Sequence, residues 1–228
     1  DILAPAGGRN SVAILPTSTS AGADACLVVG VDSVDDLKGK DSYGLELSVS
    51  QYMFERVLED MGKDPADFPF KQMDPAAAST AMKQGQAGIE SIVVWNPFVM
   101  QTLREQTNSK VLFDSTKIPE EIVDMVVVGE DALKRSGGEA FAACVADTFY
   151  EISRLIEDSA SRQETLTKLG QDFSGLSAED METIVQQTKF YKTADEGIGL
   201  FERGDFQSEI MPKVIDFCAT HDIAAKPT

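Results

Sequence analysis

The chain has 228 residues and a formal charge of −18, from 38 acidic against 20 basic side chains. A folded chain of this length hides roughly 70% of its unfolded surface, so one large domain or two smaller lobes are both allowed. The charge argues against a duplex binder, which must cluster Lys and Arg on phosphates, and against docking on anionic lipid headgroups.

The opening residues, Asp1 to Pro5, lack the basic and apolar regions of a signal peptide, as a mature exported protein would. Residues 12–15 and 25–29 are short apolar runs rich in β-formers, and they predict buried parallel strands. Between them the hydroxyl-dense stretch from Pro16 to Gly22 reads as a loop. A polar linker follows over residues 32–40, with a short helical stretch at 34–37.

From Ser42 onward strands and helices alternate. Residues 43–47 predict a strand and residues 49–61 a helix with Met53, Val57, Leu58 and Met61 on one face. Residues 68–72 form a weaker strand. Asp74 caps an Ala-rich helix that carries Pro75 at its first position and runs to Gln84. Residues 89–94 predict a strand, and Asn96-Pro97 opens the next helix through Leu103. Strands over 111–113 and 122–128 complete a doubly wound α/β pattern.

After Gly129 the chain reads as nearly all helix. Phe141, Val145, Phe149, Ile152 and Ile156 recur at helical spacing, as do Phe206, Ile210, Val214 and Phe217. Thr193 and Glu196 have the spacing of a capping box. The cysteines, Cys26, Cys144 and Cys218, are widely spaced. Cys26 and Cys144 sit in apolar stretches, which predicts small buried hydrophobes. With His221 as the lone histidine, a thiolate–imidazole zinc site lacks ligands, and no metal or cofactor is expected. No nucleophile with a base, Walker loop or G-x-S-x-G is present, so no catalytic residue is assigned and an enzyme is not expected.

Six blocks in order carry a resemblance: Leu37-Lys38-Gly39-Lys40, Ser48-Val49-Ser50-Gln51-Tyr52, Met73-Asp74-Pro75-Ala76-Ala77-Ala78, Val93-Val94-Trp95-Asn96-Pro97-Phe98, Leu112-Phe113-Asp114-Ser115 and Ile118-Pro119-Glu120-Glu121-Ile122-Val123-Asp124. Together they resemble the nitrate/sulfonate/taurine type of solute-binding protein that serves ABC importers. Gly22-Ala23-Asp24-Ala25 fits the same family upstream. The resemblance implies a type II periplasmic-binding-protein clamshell: two doubly wound α/β lobes, with a helical C-terminal region packed on the first. It places residues 1–35 at the end of lobe 1, 36–121 in lobe 2 and 122–228 back in lobe 1. It also implies further strand–helix units of lobe 1 that this sequence lacks, either because the sequence is a fragment or because those units are supplied elsewhere.

Read as residues, Ser48 to Ser50 begin a helix, where free N–H groups and the dipole suit an anion. Ser48 and Gln51 alternatively form a capping box that only satisfies the helix end. Trp95, at a strand's carboxyl end, is either core or a pocket aromatic. The resemblance favours ligand contact for both places, and with them for Tyr52 and Asn96. Thr17, Ser18, Thr19 and Ser20 are candidate hydrogen-bond donors or a solvated turn. Asp24, Glu46 and Asp124 are candidates to meet an amine or to hold nearby backbone.

These stretches are nearly free of Lys and Arg, whereas a doubly charged anion calls for a bidentate Arg. A neutral or zwitterionic solute is therefore expected, within an anionic or zwitterionic class that includes sulfonates, taurine and nitrate. The expected partner is an ABC permease, without nucleic acid, for a monomer that is periplasmic or extracellular and compatible with lipid anchoring. The alternatives are an enzyme on the same scaffold, of the thiamin-pyrimidine synthesis type, or a ligand-binding sensory domain.

Overall fold

The structure is a computed structural model that describes residues 10–173 and 175–224. In chain order it begins with strands β1 (Ser11–Ser20), β2 (Asp24–Val29) and β3 (Ser42–Gly44), followed by helix α1 (Val49–Asp60) and strand β4 (Phe70–Gln72). Helix α2 (Pro75–Lys83), strand β5 (Ser91–Trp95), helix α3 (Phe98–Glu105) and strands β6 (Ser109–Asp114) and β7 (Val123–Gly129) come next. Then come the short α4 (Glu130–Leu133), α5 (Gly138–Glu157), α6 (Arg162–Phe173) and α7 (Ala178–Gln186). Strand β8 (Thr188–Phe190), α8 (Ala194–Glu202), a π turn at Phe206–Ile210 and α9 (Met211–Thr220) complete the chain.

The chain divides into two compact units. Unit 2 takes Ser20–Ile122 with Thr183–Thr188; unit 1 takes the residues up to Thr19, Val123–Glu182 and those from Lys189 onward. The division after Thr19 corrects the expected boundary at residue 35, because β2 is a central strand of unit 2's sheet.

That sheet has the order β4-β3-β5-β2-β6. β3 runs parallel to β4 and β5, whereas β2 runs antiparallel to both β5 and β6, which corrects the expectation of parallel strands at residues 25–29. A fully buried apolar run is demanded by any strand covered on both faces and does not report direction. Residues of β2 alternate between two cores. Ala25 and Leu27 join Ile92 and Val94 beneath α2 and α3, through Ala78, Met82 and Val99. On the other face Phe54 of α1 packs on Phe70 and Phe113, with ring centroids 5.5 and 5.8 Å apart.

The expected cap of α2 is present: Asp74 Oδ1 accepts from the N–H groups of Ala76 and Ala77 at 2.9 and 3.1 Å. Helix α3 starts at Phe98 rather than at an Asn96 cap, because Asn96 is engaged elsewhere. Arg56 of α1 grips Glu121 with both prongs, Nε to Oε2 at 3.0 Å and Nη2 to Oε1 at 3.2 Å, and also pairs with Glu59. Tyr52 Oη donates to the same Glu121 oxygen at 3.0 Å. Burial opposes the charge on Arg56, but its bonds to Glu121 and Glu59 outweigh that and raise its pKa. Burial, and then the Glu121 charge, push the Tyr52 phenol up. The cluster pins α1 to the residues that lead out of unit 2.

Unit 1 holds a three-stranded sheet ordered β7-β1-β8. β1 runs straight through the stretch from Pro16 that reads as a loop, pairing antiparallel with β7. The register slips between Ala13 and Leu15 and again between Pro16 and Ser18, and such an irregularity lets a strand carry a proline that has no N–H to give. Tyr191, Leu200, Phe206 and Ile210 form its small core. Of the apolar series on α5, Ile156 is buried while Phe141 is 65% exposed. The Thr193 cap holds: its Oγ1 accepts from the Glu196 N–H at 3.2 Å.

Gly44 sits where no side chain fits. A Cβ there would lie 2.7 Å from both the Val93 carbonyl oxygen and the Phe70 ring. Gly44→Ala is expected to cost about 1–3 kcal/mol, lowering the melting temperature by several degrees in calorimetry; an unchanged melt would show that β3 and β5 tolerate separation.

Cys26 is buried beside Ser91, its Sγ 3.5 Å from Oγ, and burial pushes its thiol up to about 12 against the lowering effect of that bond. Cys144 is exposed on α5, correcting the expectation that it is buried: its apolar neighbours belong to the half of the helix that covers no core. Brief alkylation of the native protein at pH 8 is expected to modify Cys144 first, with Cys26 reacting only on denaturation; peptide mass spectrometry reads the order, and early labelling of Cys26 would contradict this packing.

Candidate functional site

In unit 2, parallel pairing of Tyr43 with Ile92 and Gly44 with Val93 sends β3 and β5 out at one edge of the sheet. The turn before α1 and the Trp95-Asn96 turn therefore emerge side by side. β2 runs the opposite way, so its first residue, Asp24, lies directly across from Trp95, and Asp114, the last residue of β6, lies across from Ala25. Ligands of open α/β sheets gather at such a carboxyl edge.

The turn before α1 is built by its own polar groups. Ser48 Oγ donates to the Leu45 carbonyl at 2.6 Å and accepts from the Ser50 N–H at 3.1 Å. Gln51 Oε1 accepts from the Leu47 N–H at 2.8 Å, one residue ahead of where a capping box closes, while its Nε2 donates to Glu55 at 2.8 Å. Gln72 Oε1 accepts from the Glu46 N–H at 2.7 Å, and the Glu46 side chain is exposed. Leu47, at φ 56°, is held in the left-handed region that favours glycine.

What remains is distinctive. The N–H groups of Val49 and Gln51, on the first turn of α1, find no acceptor among the described residues. Ser50 is 1% exposed, and its Oγ is buried with no partner. Ser48, Gln51 and Tyr52 are thus occupied in holding the turn, and Ser50 is the hydroxyl left over.

At the next strand end, Trp95 is half-buried and meets Phe98 edge-on at 6.2 Å. The Asn96 N–H donates to the Ala23 carbonyl at 2.9 Å and its Nδ2 to Gln187 Oε1 at 2.6 Å, while its Oδ1 is buried without a partner. Gln187 is fixed in turn by its own carbonyl, which accepts from the Ala21 N–H at 2.9 Å. Ser20 Oγ shares a hydrogen bond with Ser115 Oγ at 2.7 Å and accepts from the Asp24 N–H at 3.2 Å. Asp24 itself is 8% exposed. Residues 20–29, 91–97 and 183–188 contain no Lys or Arg, whereas the segment that brings Asp114 and Ser115 carries Lys110 and Lys117.

The other candidates lie in unit 1. Ser18 stands across from Asp124 in the β1–β7 register; its Oγ donates to Asp124 Oδ2 at 3.2 Å, and Thr17 Oγ1 donates to the Asp124 carbonyl at 3.1 Å. Thr19 is buried on the same strand. The run of four hydroxyls is therefore strand, not loop, and divides between the units with Ser20 in the second. Among the described residues no cluster of His, Cys, Asp and Glu is arranged to hold a metal ion, and no helix is long and apolar enough to cross a membrane.

Sequence reasoning missed Gln187, Ser115, Gln72 and the Arg56–Glu121 pair. Gln187 follows a helix more than 90 residues from Asn96, and no local pattern marks it. Arg56, the lone basic residue in α1, carried the one available signal.

No family model matches the chain, and no curated protein matches it. Solved structures do match. The periplasmic aliphatic sulphonate binding protein SsuA from Escherichia coli superposes with a TM-score of 0.73 at 21% identity, covering 99% of this chain and 69% of that one. The alkanesulfonate-binding protein SsuA from Xanthomonas axonopodis pv. citri, bound to MOPS, gives 0.72 at 19% identity over 100% and 73%. The periplasmic nitrate-binding protein NrtA from Synechocystis PCC 6803 gives 0.59 at 13% identity over 95% and 65%. These neighbours are binding proteins rather than enzymes, and the fold they share with this chain is the periplasmic-binding-protein fold.

Proposed function

We propose that this chain is the extracytoplasmic substrate-binding component of an ABC importer, capturing a small anionic or zwitterionic solute of the sulfonate, taurine or nitrate kind and presenting it to a permease. The observation that carries this reading is the start of α1. A buried hydroxyl with no partner, Ser50 Oγ, sits with two unclaimed N–H groups at the carboxyl edge of the sheet. Ser48 and Gln51 are engaged in holding the turn, which leaves Ser50 Oγ as the buried hydroxyl their bonds do not match.

Neutral donors on a helix start suit one oxyanion head, since the dipole adds about half a positive charge and no counter-charge has to be buried. The fold neighbours support the class: two are sulfonate-binding and one nitrate-binding. Trp95, one strand over, supplies an apolar wall. The location follows the role, because such a component works where the solute arrives.

Ser50→Ala is expected to weaken binding of the oxyanion roughly 10–100-fold, the worth of a hydrogen bond to a charged group, while the melting temperature stays within about a degree. Ser48→Ala is expected to weaken binding and also to lose about 1 kcal/mol of stability as a cap. Calorimetric titration with 2-aminoethanesulfonate, ethanesulfonate and nitrate reads both effects. Undiminished affinity in Ser50→Ala would reduce the turn to a helix end.

A further inference from the structure

Tyr52 is held at both ends. Its N–H donates to the Ser48 carbonyl at 3.0 Å, which closes the first turn of α1, and its Oη donates to Glu121 Oε2 at 3.0 Å. One turn on, Arg56 takes the same carboxylate with two nitrogens. The Glu121 side chain is 7% exposed, so these bonds are shielded from water and strengthened by it. The helix that carries the unmatched Ser50 hydroxyl is therefore fastened to a carboxylate that lies 65 residues beyond Arg56 in the chain.

Glu121 stands next to Ile122, where the chain leaves unit 2. Its segment is held by short local bonds: the Ile118 N–H donates to the Ser115 carbonyl at 3.1 Å and the Glu121 N–H to the Ile118 carbonyl at 3.2 Å. Glu120 is kept in the left-handed region at φ 60°. Such strain in a residue other than glycine persists only where the surroundings over-determine it, and the grip on Glu121 is adjacent. The Ile122 carbonyl accepts from the Ser20 N–H at 3.0 Å, so order here extends to the residue at which the chain enters unit 2.

Resting on the solute-binding reading above, we propose that Glu121 is a positioning residue of the oxyanion site, whose carboxylate couples solute held at the start of α1 to order in the exit segment, residues 118–122. The coupling is reciprocal: solute that fixes the first turn steadies the segment, and a steady segment keeps the first turn ready. The dependence runs against charge. A negative side chain repels an anion, so its removal would by Coulomb's law alone tighten binding. As the anchor of Tyr52 and Arg56, its removal weakens binding instead.

Calorimetry and amide hydrogen exchange on the whole chain test this, with 2-aminoethanesulfonate, ethanesulfonate and nitrate as probes. Glu121→Ala and Glu121→Gln remove the same charge, but only the amide can still accept from Tyr52 and Arg56. Glu121→Ala is expected to weaken binding roughly 5–20-fold, and Glu121→Gln by a smaller factor. Saturating probe is expected to slow exchange at residues 118–122 of the native chain by roughly that same 5–20-fold, and to leave the segment unaffected in Glu121→Ala. Tyr52→Phe, which removes one bond and keeps the ring, is expected to fall between the two; with Glu121→Gln it carries the test if Glu121→Ala does not fold. A merely structural ion pair would lower the melting temperature and leave affinity and the exchange response unchanged. Equal tightening in both Glu121 variants, unchanged affinity, or a native exit segment that ignores bound probe would overturn the coupling while leaving the solute-binding reading intact. Failure of both sulfonates and of nitrate to bind the native chain would overturn the solute-binding reading and the coupling with it.

Discussion

The parallel pairing of β3 with β5 is the constraint on which the candidate site depends. Two strands that run the same way must end at the same edge, and each hands its chain to a turn and a helix there. The pairing is possible at this spacing because Gly44 brings no side chain to a place where the Val93 carbonyl leaves no room for one. Helices packed on both faces fix the register of the sheet, since a shift by one residue would exchange the two cores carried by alternate positions of β2. The Ser48 turn and the Trp95-Asn96 turn are neighbours as a consequence of that geometry.

Within that edge, hydrogen-bond accounting separates support from surplus. Buried polar atoms in folded proteins are nearly always matched. Gln51, Tyr52 and Ser48 obey this rule through Leu47, Glu121 and Leu45. Ser50 Oγ and Asn96 Oδ1 do not. The same residues that looked equivalent as a polar run, Ser48 to Tyr52, therefore split into those that shape the turn and one whose hydroxyl is buried unmatched. The Arg56–Glu121 pair belongs to the first group: its bidentate geometry is structural, and both charges are already matched.

Much of the architecture was legible because local signals and long-range packing agreed. Asp74-Pro75 stated the start of α2 without ambiguity, and the apolar spacing of α1 located its buried face. The strand–helix alternation gave the fold class. Strand direction was not legible, since the apolar run of β2 serves either sense. The hydroxyls from Thr17 to Ser20 misled in another way: turn-forming residues became strand because the partner β7 offered a full ladder, and cross-strand pairing outweighs local preference. Cys144 was misjudged because apolar neighbours on a helix do not reveal whether that turn of the helix meets a core. At the site, the helix start and Trp95 were visible as motifs, whereas Gln187 reached Asn96 only through the return of the chain into unit 2.

Leu47 gives this turn a property that its hydrogen bonds alone would not. A leucine in the left-handed region costs on the order of 1–2 kcal/mol, and here Gln51, taking its N–H, keeps it there. That penalty is met once, when the chain folds. The first turn of α1 therefore carries its shape as a property of the folded chain, and the solute proposed to meet it would not have to supply the energy of bending the backbone there.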